Sequence, residues 1–213
     1  MDGTLLDTEK LFRRSWIETS ENYGLPDGES FYELVAGSPA ILLREKFLQT
    51  YGEMVDYDEF LINRKAKFLS YIQSDVPLKP YCVELLDYLK GEGIRIALAT
   101  STNIEITRRN LEISGILKYF DAIVTGDEVK NGKPSPDIFL LAAKRLSAVS
   151  DETVIVEDTY NGLRGAFAAN IRGIMVIDGQ KPNEETHRIA VAECQNLNEV
   201  LNYIKTHKGD ERK

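Results

Sequence analysis

Ile94-Arg95-Ile96-Ala97-Leu98-Ala99-Thr100-Ser101 is the stretch that decides the fold. The apolar run from Ile94 to Ala99 is too short for a helix, ends in two hydroxyl residues, and is followed from Ile104 to Ile113 by apolar residues at helical spacing. The same succession recurs outward from it. Ala122 to Val124, Val154 to Val156 and Gly173 to Ile177 read as further strands, and Val83 to Leu89, Pro136 to Leu146 and Tyr160 to Ala168 as further helices. Strands that alternate with helices form a parallel sheet covered by helices on both faces. Reactive groups in such a sheet gather outside the carboxyl ends of the strands. The residues that stand there are Thr100 and Ser101, Thr125 and Asp127, and Glu157 and Asp158.

Before Pro80 the pattern is different. Leu11, Trp16 and Ile17, then Leu42, Leu43, Phe47 and Leu48, then Phe60, Leu61, Phe68 and Tyr71 recur at helical spacing, with no alternating run between them. Residues 9–77 therefore read as a small helical domain inserted into an α/β core made of residues 1–8 and 78–205. The polar end of the chain, 206–213, reads as a frayed tail.

Composition narrows the function. Thirty-four acidic residues against 26 basic give a net charge of -8, and Arg13-Arg14 and Arg108-Arg109 are too short to track a phosphate backbone, so nucleic acid is not an expected partner. Cys82 and Cys194 lie far apart without a nearby His or second Cys, which supports neither a zinc site nor a disulfide. No stretch approaches the roughly 20 apolar residues of a membrane helix, and Asp2 and Asp7 stand where a signal peptide would be apolar, so the expected location is the cytoplasm.

Four segments carry the chemistry. Each alone has an ordinary reading: a turn at Asp2-Gly3-Thr4, a helix cap at Thr100 and Ser101, a loop lysine at Lys133, and a second cap at Glu157 and Asp158. In order they form one pattern: Met-Asp-Gly-Thr-Leu-Leu-Asp-Thr-Glu at 1–9, Ala-Thr-Ser-Thr at 99–102, Gly-Lys-Pro-Ser-Pro-Asp at 132–137, and Val-Glu-Asp-Thr followed by Asn-Gly at 156–162. This pattern resembles the four motifs of the haloacid dehalogenase superfamily of phosphohydrolases. The helical insertion after the first motif is similar to the cap of the subfamily that includes beta-phosphoglucomutase and sugar-phosphate phosphatases.

The resemblance implies a Rossmann-like core with a helical cap and hydrolysis of a small phosphorylated metabolite through an aspartyl-phosphate. A carboxylate nucleophile is already ionised at neutral pH, whereas the phosphoryl oxygens need cationic and hydrogen-bonding support. By the resemblance, Asp2 is the general acid and base and reaches the metal through its backbone carbonyl. Thr100, with Ser101 beside it, binds the phosphoryl group, and Lys133 neutralises it. Asp158 and Glu157 hold Mg2+ through hard oxygens. Glu9, Phe12 and Trp16 are candidates for substrate contact. Phe12 and Trp16 at i and i+4 could equally be core, and that reading carries more weight. Arg64 and Lys65 read more readily as a solvated helix face than as anion ligands. The family also implies a monomer.

The family's nucleophilic aspartate falls on the position directly before Met1, and so does the end of the strand that precedes it. That strand lies between those ending at Ala99 and Val156, so its absence leaves two strand edges facing a gap, with unpaired groups costing about 1–3 kcal/mol each against a total stability of about 5–15 kcal/mol. The expectation is a poorly folding chain as written and a natural product longer by roughly five to ten residues. Two departures argue against a mutase: Gly37 is followed by Ser38, Pro39, Ala40 and Ile41 with no basic residue before Arg44, and Phe12 stands where the mutase pattern has a His. A site without a second phosphate clamp suits hydrolysis of a monophosphate.

Overall fold

The structure, a computed structural model, describes residues 1–35, 40–52 and 54–207. The chain divides into a helical unit, Asp7–Val76, and an α/β unit made of Met1–Leu6 and Pro77–Lys213. Gly37, Ser38 and Pro39, on which the reading of a missing clamp rests, lie outside the described residues, as do the side chains of Ala40 and Ile41.

Four helices build the helical unit: α1 (Thr8–Asn22), α2 (Gly28–Val35), α3 (Ala40–Tyr51) and α4 (Tyr57–Ser74). Asp56 starts α4 by accepting the Glu59 N–H at 2.8 Å, as an N-cap does. Their centre is aromatic, with Trp16, Phe31, Phe47, Tyr51, Tyr57 and Phe60 all buried.

The α/β unit runs α5 (Cys82–Gly91), β1 (Ala97–Thr100), α6 (Ile104–Ile113), β2 (Ala122–Thr125), α7 (Asp137–Leu146), β3 (Val154–Glu157), α8 (Tyr160–Ala168), β4 (Arg172–Val176), α9 (Thr186–Ile189), β5 (Ala190–Cys194) and α10 (Leu197–His207). Every named strand pair is parallel, with Ala97 opposite Ala122, Val154 opposite Arg172 and Gly173 opposite Ala190. Three elements of the α/β unit were not foreseen: α9, β5 and α10. β5 adds a strand to the sheet, and α10 carries the fold through Thr206 and His207, so the expected tail cannot begin at 206. The remainder of that tail, 208–213, lies outside the described residues.

The strands form two sheets, β1-β2 and β3-β4-β5. β1 and β3 each keep one edge without a partner strand, and both line one cavity of about 300 Å³ together with Leu85, Leu89 and Phe139. The first residues cross one end of it as a tight turn: the Leu5 and Leu6 N–H groups both donate to the Met1 carbonyl, and the Lys79 N–H donates to the Leu5 carbonyl at 2.8 Å.

Candidate active site

The four motif segments converge at the carboxyl ends of β1 and β3. The first turn reaches β1 through the Thr102 hydroxyl, which donates to Asp2 Oδ2 at 3.1 Å. It reaches β3 through the Thr4 hydroxyl, which donates to Asp158 Oδ1 at 2.5 Å. Gly3 makes the second approach possible. Its φ is +75°, which favours glycine, and a Cβ there would collide with the Asp158 carboxylate.

Lys133 ties the third segment to both strands. Its ammonium pairs with Glu157 Oε1 and donates to the Ala99 carbonyl at 3.4 Å. The other Glu157 oxygen accepts the Asp158 N–H at 3.0 Å, the Thr159 N–H at 2.9 Å and the Thr159 hydroxyl at 2.8 Å. Both oxygens of Glu157 are engaged: it anchors Lys133 and shapes the turn into α8. Gly162 belongs to the same arrangement, since a Cβ there would strike the Glu157 carboxyl.

Two neighbouring carboxyls are driven in opposite directions. Burial pushes Glu157 up, but the charge and hydrogen bond of Lys133 outweigh it and hold the group below the usual glutamate value. Asp158 is raised, first by burial and further by the charges of Glu157 and Asp178, while the Thr4 hydrogen bond opposes the rise. A desolvated carboxyl among like charges gains from a hard cation. Among the described residues no three His, Cys, Asp or Glu side chains converge on one point. The Asp158 carboxylate is a hard oxygen donor of the kind magnesium takes, an ion that keeps several waters and needs only one or two protein carboxylates.

Thr100 is 4% exposed and its hydroxyl accepts the Thr102 N–H at 3.2 Å, so its hydroxyl hydrogen remains to be donated. Ser101 is exposed beside it, with its carbonyl pressed against Gly126, where a Cβ would not fit. The helical unit supplies the other candidates. Tyr32 donates its hydroxyl to Glu9. Phe12 is half-buried, edge-on to Phe68 at 5.8 Å between centroids, with the Arg64 guanidinium over its face. Trp16 is 1% exposed and packs between Phe31 and Phe60, so it is core and does not offer a face to a sugar.

Sequence reasoning passed over Asp178 and Lys79, which pair at 2.6 Å. Asp178 stands just past the end of β4, so the rule that singled out Glu157 and Asp158 also applies to it. Nothing in the sequence pairs it with a lysine 99 residues away. No helix among the described residues is long and apolar enough to cross a membrane.

The family model described as haloacid dehalogenase-like hydrolase matches residues 1–176. A phosphorylated carbohydrates phosphatase of Thermotoga maritima is 32% identical over 96% of this chain and 95% of its own. A fructose-1-phosphate phosphatase of Escherichia coli is 32% identical over 83% and 93%. Among solved structures, a candidate beta-phosphoglucomutase from Thermotoga maritima aligns with a TM-score of 0.79 at 31% identity, covering 97% of this chain and 96% of that one. A family model matched over residues 1–176 and relatives of nearly equal length lead to one statement: the chain belongs to the haloacid dehalogenase-like hydrolase family.

Proposed function

We propose that this protein is a magnesium-dependent phosphatase that hydrolyses a small phosphorylated sugar through an aspartyl-phosphate. The observation that carries the reading is the meeting of Asp2, Thr4, Lys133 and Asp158 at the ends of β1 and β3, joined by Thr102 and Glu157. The relatives named above as phosphatases of phosphorylated carbohydrates and of fructose 1-phosphate support the substrate class.

In this reading the nucleophilic carboxylate comes from the position before Met1. Asp2, exposed and oriented by Thr102, protonates the leaving sugar oxygen and afterwards takes the proton of the attacking water. Lys133 has three N–H donors; Glu157 and Ala99 engage two, and the third serves a phosphoryl oxygen. The Thr100 hydroxyl donates to the same group. Asp158 and Asp2 would hold magnesium, which supplies positive charge against the phosphoryl oxygens.

A mutase is less well supported. Arg44, the first basic residue after Gly37, is committed to Asp58 at 2.9 Å and to the face of Tyr57. The test uses the protein expressed with the in-frame codons that precede Met1 in its own gene and assays phosphate release from fructose 1-phosphate. Turnover that requires Mg2+, and falls about 10²–10⁴-fold in Asp2→Asn, is expected. Unchanged turnover in Asp2→Asn would remove Asp2 from the acid-base role, and no release with magnesium present would remove the phosphatase.

A further inference from the structure

Lys79 and Asp178 stand outside the four motif segments, yet both belong to the α/β unit and meet beside its site. Lys79 holds the first turn from one side. Its backbone N–H donates to the Leu5 carbonyl at 2.8 Å, and the residue before it, Leu78, bridges to Leu6, which in turn bridges to Asp2. Its ammonium donates to Asp178 Oδ1 at 2.6 Å, and both side chains are partly buried.

Asp178 reaches the same turn from the other side. Its Oδ2 lies 3.2 Å from the point where a Cβ of Gly3 would stand, a point that the Asp158 carboxylate also crowds. The loop that carries it is pinned to the start of α8: Gln180 accepts the Tyr160 N–H at 2.7 Å, and the Tyr160 hydroxyl donates to the Lys181 carbonyl at 2.6 Å. Asp178 thus acts from a fixed support. A circuit closes from Leu5 to Lys79, from Lys79 to Asp178, and from Asp178 back to Gly3, whose neighbour Thr4 holds Asp158.

A lysine–carboxylate pair carries no net charge, so what it gives the site is placement. Its charge-assisted bond is roughly twice as strong as a neutral one, and it braces a turn that has no strand between β1 and β3 to hold it. Placement matters because a shift of about 1 Å at a reacting group can cost about 10²-fold in rate.

We infer that Lys79 and Asp178 are positioning residues of the site: the pair fixes the first turn so that Asp2 keeps its place for proton transfer and Asp158 its place for magnesium. The inference rests on the phosphatase reading and adds to it two residues that act through others.

The experiment uses the protein expressed with the codons that precede Met1 and compares wild type with Lys79→Met, Asp178→Ala, the double variant and Lys79→Arg. Two quantities are read: kcat for fructose 1-phosphate at saturating Mg2+, and Mg2+ binding without substrate by calorimetry. Each single loss of the pair is expected to lower kcat and to weaken Mg2+ binding by about tenfold, with KM for fructose 1-phosphate unchanged. The double variant should be no worse than either single one, since both break the same contact. Lys79→Arg keeps the pair and should stay close to wild type. If Lys79→Met does not fold, Asp178→Ala, at a residue still reached by solvent, decides by the same two quantities. Unchanged kcat and Mg2+ binding, even with a lowered melting temperature, overturn the inference, and so do losses that add in the double variant. Mg2+ binding also separates it from the phosphatase reading. Weaker binding in the variants of a protein that releases no phosphate keeps the pair and sinks the phosphatase, whereas hydrolysis by wild type and variants alike does the reverse.

Discussion

The two units of this protein bury their apolar residues in opposite ways. In the helical unit Phe47 is fully buried and touches four rings at 4.9–5.7 Å, those of Phe31, Tyr51, Tyr57 and Phe60, so the helices close on a centre that leaves no edge open. In the α/β unit the apolar side chains of β1 and β3 face a cavity of about 300 Å³, and the sheet is divided in two. Side chains that interdigitate complete their contacts within the segment that carries them. A sheet cannot, because a strand inside it completes its hydrogen bonds only with neighbours on both edges. The helical unit is therefore specified by its own residues, whereas the α/β unit depends on what lies between β1 and β3 and is held there by polar links across the gap.

Breaking the aromatic centre should have the largest effect. Phe47→Ala removes the ring that four others pack on, and truncations of this kind cost about 3–5 kcal/mol. Denaturant unfolding followed by aromatic fluorescence should show the helical unit melting at much lower denaturant. A loss below about 1 kcal/mol would mean that the rings repack and the centre is less specified than its geometry suggests.

On the other side of the comparison, Lys133→Met tests whether polar links stand in for missing strand pairing. Removing one member of a buried ion pair costs about 3–5 kcal/mol. The lower end applies here because Glu157 keeps its hydrogen bonds from Asp158 and Thr159. The sign with pH follows from the lowered Glu157 carboxyl. A group with a depressed folded-state value contributes stability that is present above its unfolded value, about 4.3, and is lost as pH falls through the folded one. Wild type should thus lose stability on acidification, while Lys133→Met, free to protonate Glu157, loses less, so the two unfolding midpoints converge below about pH 4. Midpoints that stay equally far apart at every pH would assign the role of Lys133 to packing on Phe139, 4.9 Å away, instead of to charge.

Much of this contrast is legible in the sequence. Helices at Ile104–Ile113 and Tyr160–Ala168 fall where their periodicity puts them, because Asn103 and Thr159 cap them by accepting the N–H groups of Ile106 and Gly162. β5 is hidden because Ala190–Cys194 is short and has only Cys194 fully buried, which leaves no alternation to read. α10 does carry a signal, with Leu197, Val200, Leu201 and Ile204 at helical spacing. Its polar last turn is kept helical by Thr206 bonding back to Asn202 and by His207 stacking on Tyr203. At the site, residue types and strand ends mark Asp2, Thr100, Lys133 and Asp158, but the engagement of both Glu157 oxygens depends on distances that only the fold creates.

The smallest effect probes the cavity itself. Ala97 lies on β1, lines the cavity and packs with the cluster of Ile138, Phe139 and Ala142. Ala97→Val adds two carbons and a β-branched residue to a strand, each favourable where space exists. In the 213-residue chain it should raise stability by about 0.5–1 kcal/mol, read as a shift of the denaturant midpoint at constant slope. The same substitution in protein carrying the residues encoded before Met1 sharpens the comparison. If an added strand occupies the space between β1 and β3, the gain should vanish or reverse, since overpacking a filled interior costs stability. A gain of equal size in both would mean that the space stays open, and the divided sheet would then be the finished architecture of the α/β unit.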